Sequence, residues 1–246
     1  MNIKELHISG TLPLKGTQNT RDLGGYITKD KKITKYKEFI RSSSLSIITN
    51  EDIDFLIKYG IKTVLDLRSE EEVKEKPSKL KNIDGIKYYN VPLSVKDMQA
   101  DITKEDGYFD MIQGYIKRLS NKKAIKDIFD IISNNLNGGL IFNCTAGKDR
   151  TGIVSMLLLG IANVSLKDIV ANYQVSYTYM GEDPNFVREY NITKSRVFLS
   201  KPEFIDATIE YIMDEYSSFE NYLLSCDVTN KQINDIRNRF LEDIIF

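Results

Sequence analysis

The chain has 246 residues, 41% of them apolar and 28% charged, with a net charge of -1. Such a composition gives an ordinary folded globule with a full core rather than a disordered chain. It excludes a nucleic-acid binder that works through a global positive field, so any anion site has to be local. Two cysteines, Cys144 and Cys226, are too few for a disulfide framework and lack the paired spacing of a zinc site, which fits a reducing compartment. The opening residues contain no apolar stretch of signal-peptide length, and no segment approaches the roughly 18 apolar residues of a membrane span. A cytoplasmic protein is expected, or one exported by an unconventional route.

With no internal repeat and no low-complexity linker, a single domain over 1–246 is the economical reading. The first 45 residues carry turn chemistry at Gly24, Gly25 and the polar run 29–32, between the β-type stretches "GYIT" and "KKIT", which suggests a hairpin. Thr49 with Asp52 opens a helix with apolar Ile53, Leu56 and Ile57, closed by Gly60. "IKTVLDL" follows as a buried strand, and "GIKYYNVPL" is a second strand candidate. "GYFDMIQGYIKRL" has helical spacing and suits either a core helix or a cover for a pocket. Ala124, Ile125, Ile128, Phe129, Ile132 and Leu136 mark another helix, and the turn 137–139 introduces the strand "GLIFNC". After a short loop, "TGIVSMLLLGIANV" is apolar almost all round, as a helix buried at the centre of a fold would be. The last 45 residues read as helices, with Pro202 near a first turn and Thr229 with Gln232 as a capping box. The expected fold class is α/β: a mostly parallel central sheet flanked by helices, with a helical C-terminal layer.

Between "GLIFNC" and the buried helix lies "CTAGKDRTG". With Cys144 at the strand end and Arg150 at the helix start, the small residues Thr145, Ala146 and Gly147 let their amides turn inward beside those of the first helical turn. That forms an anion nest at the positive end of a helix dipole. Arg150 adds a planar fork of donors for a tetrahedral oxyanion. The same amides favour a thiolate, so Cys144 is expected to act as a nucleophile. Phosphoryl transfer through a phosphocysteine follows, with Thr151 able to hydrogen-bond the sulfur as it leaves.

The loop resembles the phosphate-binding loop of the bacterial tyrosine phosphatases, a branch of the cysteine-dependent phosphatases with dual or phosphoinositide specificity. "NTRDLGGY" (19–26), "RSSSLS" (41–46), "YGIKTVLDLRSEEE" (59–72) and "EYSSFENYL" (215–223) are similar to segments that recur in that family, in the same order. The resemblance implies a protein tyrosine phosphatase-like fold. It implies that Cys144 is the nucleophile, Arg150 the phosphate clamp and Asp149 a general acid within the loop, and that Lys148 is a basic side chain at the pocket mouth. Asp149 could instead be a structural carboxylate orienting Arg150 or capping the helix, and Lys148 a solvated charge. Asp66 and Arg68 correspond to a pair that braces the active-site loops, or form an ordinary strand-end ion pair. Arg21 and Asp22 read as pocket rim or as a turn-stabilising pair.

Two departures from the pattern stand out. Asn143 precedes the nucleophile where most of the superfamily has histidine, and the chain lacks tryptophan, hence any tryptophan-proline-aspartate loop. Asp97 and Asp101 lie in the segment where dual-specificity phosphatases carry their acid, but off the expected spacing, and read better as surface residues. His7, the only histidine, offers no catalytic base or metal site, and Cys226 reads as a small buried residue. The expected reaction is hydrolysis of phosphotyrosine, or of phosphoserine, phosphothreonine or a phosphoinositide, without cofactor or metal. The alternatives are a rhodanese-like sulfurtransferase, which "VLDLRSEEE" also resembles, and a phosphate-binding pseudophosphatase with weak catalysis. A nucleotide P-loop is excluded because Lys148 is followed by Asp149 rather than serine or threonine.

Overall fold

The structure, a computed structural model, describes residues 10–94, 107–181 and 199–244, with the side chains of 107–110 left aside. His7, Asp97 and Asp101 lie outside the described residues. Five strands form the central sheet: β1 (Arg21–Asp22), β3 (Phe39–Ser42), β4 (Ile61–Asp66), β5 (Lys87–Asn90) and β6 (Gly139–Asn143), in the order β1-β3-β6-β4-β5. Only β1 runs antiparallel to its neighbour. The hairpin expected near the N-terminus is present, with Thr28 and Thr34 bonded to Lys32 and Tyr26. Its second strand, β2 (Lys32–Thr34), also pairs with β7 (Leu241–Asp243), which the sequence did not announce.

Strand alternation splits the core in two. Phe39, Leu65, Leu140 and Phe142 face one side, while Ile40, Val64 and Ile141 face the other. The smaller side is covered by α1 (Asn50–Tyr59), which begins at the expected Thr49–Asp52 capping box and ends at Gly60, whose φ of 106° requires glycine. On that helix Ile53 and Leu56 are buried, whereas Ile57 faces solvent, and Tyr59 supplies the last inward position.

The larger side packs against α3 (Gly107–Ser120), α4 (Lys122–Asn134) and α5 (Asp149–Ile161). α5 is buried on nearly every face, as its apolar sequence demands. α6 (Leu166–Gln174) and α7 (Ser176–Gly181) follow it, and α8 (Pro202–Tyr216), α9 (Phe219–Ser225) and α10 (Asn230–Phe240) form the C-terminal layer over α3, α4, α5 and α6. Leu136 falls just past the end of α4, so it closes the core as a loop residue. Among the described residues no helix is long and apolar enough to cross a membrane.

The parallel register brings Ser42, Asn143, Asp66 and Asn90 into one row at the carboxyl edge of the sheet. Between Ser69, whose side chain caps α2 (Glu70–Glu75) in a box with Glu72, and the start of α5, this edge is where loops converge. Leu157, fully buried in α5, is expected to cost about 3 kcal/mol when changed to alanine. Thr49→Ala should cost only about 1 kcal/mol, the loss of one cap. Urea unfolding followed by circular dichroism checks both.

Candidate active site

The loop from Cys144 to Arg150 is shaped by what holds its carbonyls. Ser44 N–H donates to the Thr145 carbonyl at 3.0 Å. Asn19 Nδ2 donates to Ala146 O at 3.1 Å and Gly147 O at 2.9 Å, and Arg41 donates to Gly147 O at 2.7 Å. In a trans peptide the N–H points opposite the C=O. Three carbonyls drawn outward therefore turn the N–H groups of Ala146, Gly147 and Lys148 inward, the nest expected from the sequence. Gly147 has φ of 65°, and a Cβ there would lie 2.7 Å from the Ser42 carbonyl and Ser43 nitrogen, so only glycine fits.

The clamps are themselves built in. Arg41 sits in β3, fully buried, and also reaches the Asn172 side-chain oxygen at 2.5 Å and Ser176 Oγ at 3.3 Å. Arg21 is buried too, bonding the Asn19 backbone and side chain, the Asn172 carbonyl at 2.5 Å and Ser176 Oγ at 3.0 Å. It is therefore not at the pocket rim but supports Asn19 from behind. Nor do Arg21 and Asp22 pair, because neighbours on a strand project to opposite faces. Asp22 instead accepts from Gly24 N, Lys37 N and Tyr59 Oη. Burial pushes its carboxyl up to about 6 against the pull of those hydrogen bonds.

Cys144, 2% exposed, lies just past the end of β6. Arg41 and Arg150 are both electrostatically coupled to it: burial depresses Arg41 to about 10, and the charges of Tyr26 and Cys144 oppose that. Arg150 keeps its guanidinium against Glu72 at 2.5 and 3.0 Å and touches Thr145 Oγ1 at 3.1 Å. Burial alone would raise Glu72, but Arg150 and the Thr145 hydroxyl hold its carboxyl down at about 2. Thr151 is fully buried, and its hydroxyl has no hydrogen-bond partner among the described residues.

Asp149 begins α5 and keeps 24% of its side chain exposed. Lys148 Nζ lies 3.0 Å from its Oδ1, and the Tyr115 hydroxyl donates to the same oxygen. Burial raises this carboxyl, but Lys148, Arg118 and Tyr115 together hold it below its ordinary value. Lys148 is not at the pocket mouth and is not solvated. It is fully buried, with its ammonium between Asp149 and the Leu199 carbonyl at 3.4 Å, because an adjacent carboxylate gives the charge a buried partner.

Asp66 and Arg68 form the expected pair, at 2.6 and 2.9 Å. Arg68 goes on to Ser44 Oγ and the Lys76 carbonyl, so the pair braces the loop after β3, whose Ser44 holds Thr145. Asp66 also accepts from Tyr88 at 3.0 Å and from Asn143 Nδ2 at 3.4 Å, while Asn143 Oδ1 has no partner among the described residues. Asn143 thus takes its place in the brace rather than against the sulfur.

Comparison with known proteins gives the family. The tyrosine phosphatase family profile matches residues 12–242. The chain belongs to the tyrosine phosphatase family. The match reaches from the N-terminal clamps to the last strand, which decides against the sulfurtransferase alternative. A tyrosine-protein phosphatase from Nostoc commune is 34% identical over 149 residues, 59% of this chain and 50% of that protein. The aligned part thus spans half the length of that relative. A Cupriavidus necator protein, provisionally named a tyrosine-protein phosphatase, is 24% identical over 242 residues, 91% of this chain and 85% of its own length. The solved structure of P. aeruginosa TpbA is 12% identical with a TM-score of 0.37, over 80% of this chain and 91% of that one.

Glu72, Asn19, Arg41 and Tyr115 escaped the sequence reading as individual site residues. The first three lie in segments that carried the family resemblance, and the Ser69–Glu72 capping spacing was the one local signal available for Glu72. Gly147→Ala is expected to abolish vanadate binding in a titration, by at least about a hundredfold, while the far-ultraviolet spectrum stays that of a folded chain.

Proposed function

We propose that the protein is a phosphomonoesterase of the protein-tyrosine-phosphatase type that works through a phosphocysteine intermediate. The observation that supports this most is the loop whose three carbonyls are tied outward at Cys144, with Arg150 oriented beside it by Glu72. A phosphate seated in the loop receives hydrogen bonds from the inward amides and from the Arg150 fork, which match its equatorial oxygens. Cys144 Sγ attacks phosphorus in line, the bond to the leaving oxygen breaks, and Asp149 gives that oxygen a proton. Water then attacks the phosphocysteine, returning its proton to Asp149, and the Thr151 hydroxyl stabilises the departing thiolate. In the free enzyme Asp149 is held ionised, so the proton arrives with the substrate, whose own negative charge raises the affinity of the carboxyl for it.

Phosphotyrosine is the substrate class put first. Lys148, the residue that pointed to inositol phospholipids, is enclosed by Asp149 and Leu199 rather than presented at the mouth. Phosphate release from a phosphotyrosine peptide, a phosphoserine peptide and a phosphoinositide set is expected to favour the first. Cys144→Ser should abolish turnover of every substrate, and Asp149→Asn should lower it about a hundredfold or more. Phosphate binding without turnover by the wild type would instead establish a pseudophosphatase.

A further inference from the structure

Tyr115, on α3, comes from a different part of the chain than the loop it meets. It is fully buried, and its hydroxyl lies within hydrogen-bond reach of two groups, Asp149 Oδ1 and the Tyr173 hydroxyl at 2.6 Å. A phenol has one proton. An ionised carboxylate only accepts, so Tyr115 donates to Asp149, and Tyr173 must in turn donate to Tyr115. The two rings meet edge to face, 6.1 Å apart. Arg118 lies over the Tyr115 ring, and Tyr173 packs against Gly152 of α5, where an added Cβ would come within 3.0 Å of the ring. The direction of every hydroxyl is therefore fixed.

We propose that Tyr115, backed by Tyr173, is the positioning residue for the loop acid: it holds Asp149 by one carboxylate oxygen so that the other, Oδ2, carries the proton to the leaving group. This rests on the phosphatase reading above. Lys148 meets the same oxygen, Oδ1, and no hydrogen bond among the described residues reaches Oδ2. Burial and the Asp149 charge push the Tyr115 hydroxyl well above an ordinary phenol, so it stays protonated and cannot itself be the acid. The acid lies at the start of α5, and α3 and α6 supply the orientation by packing.

Among the described residues, the charged and titratable groups around Asp149 are Lys148 and Arg150 on its own segment, Tyr115 and Arg118 on α3, and Tyr173 on α6. Arg41, on β3, acts on Cys144, Tyr173 and Tyr115, and Cys144 acts on Arg150. Tyr115→Phe keeps the ring and removes the hydroxyl, and with it both bonds, to Asp149 and to Tyr173. A hydrogen bond to a carboxylate favours its ionised form, so without it Asp149 keeps its proton to higher pH.

The test measures kcat and KM across pH for aryl phosphates with leaving groups from nitrophenol to phenol, in wild type, Tyr115→Phe, Tyr173→Phe, Asp149→Asn and Cys144→Ser. Tyr115→Phe is expected to lower kcat about tenfold for phenyl phosphate and much less for the nitrophenyl ester. KM should change by less than about twofold, and the basic limb of the kcat profile should move to higher pH. Tyr173→Phe should give the same signature, weaker, and serves in its place if Tyr115→Phe does not fold. An equal fall for all leaving groups with an unmoved limb, or no change, overturns the positioning role. If Asp149→Asn shows no leaving-group dependence, or Cys144→Ser retains turnover, the underlying phosphatase reading fails instead, which separates the two outcomes.

Discussion

Three backbone carbonyls, of Thr145, Ala146 and Gly147, must be held away from the space above Cys144 for the carboxyl edge of this sheet to hold an anion. Left to itself a short loop of small residues would satisfy those carbonyls with water and sample many conformations. Here Ser44, Asn19 and Arg41 fix them: Arg41 lies in β3, Ser44 two residues past its end, and Asn19 two residues before β1. The amides are thus aimed before any ligand arrives, which is the condition for strong electrostatic stabilisation.

The same arrangement sets the field. Arg21 and Arg41 are both buried, and among the described residues their hydrogen-bond partners are carbonyl, amide and hydroxyl oxygens rather than carboxylates. Burial pulls both below the ordinary arginine value, and each has an Nε without a hydrogen-bond partner among the described residues. Two cations desolvated without a matching acid cost stability unless an anion shares their surroundings. Cys144 lies in the surroundings of Arg41 and acts on it electrostatically. Arg150 is treated oppositely, since Glu72 neutralises it and fixes its plane, leaving the fork oriented rather than merely charged.

How much of this could be read from the sequence depended on how far apart the partners lie. Asp66 and Arg68 are two residues apart, so their pairing was legible, as were the Thr49 and Thr229 capping boxes and the buried helix α5. Asn19 and Arg41 reach the loop across 127 and 106 residues, and Glu72 reaches Arg150 across 78. No periodicity records such a contact. Arg21 was misplaced for a related reason: "RD" suggests an ion pair in sequence, but strand alternation sends the two side chains apart. Lys148 was misplaced because a lysine in a loop is ordinarily solvated, whereas here Asp149 and the Leu199 carbonyl lie against its ammonium and help make burial tolerable.

The most direct measurement is the amide spectrum of the 15N-labelled protein titrated with inorganic phosphate. If the carbonyl clamps aim the loop as described, the N–H resonances of Ala146, Gly147 and Lys148 shift downfield together and saturate with a single affinity, while those of the exposed lysine-rich segment 74–81 stay in place. Phosphate that moves the surface segment and leaves the three loop amides unchanged would contradict the account.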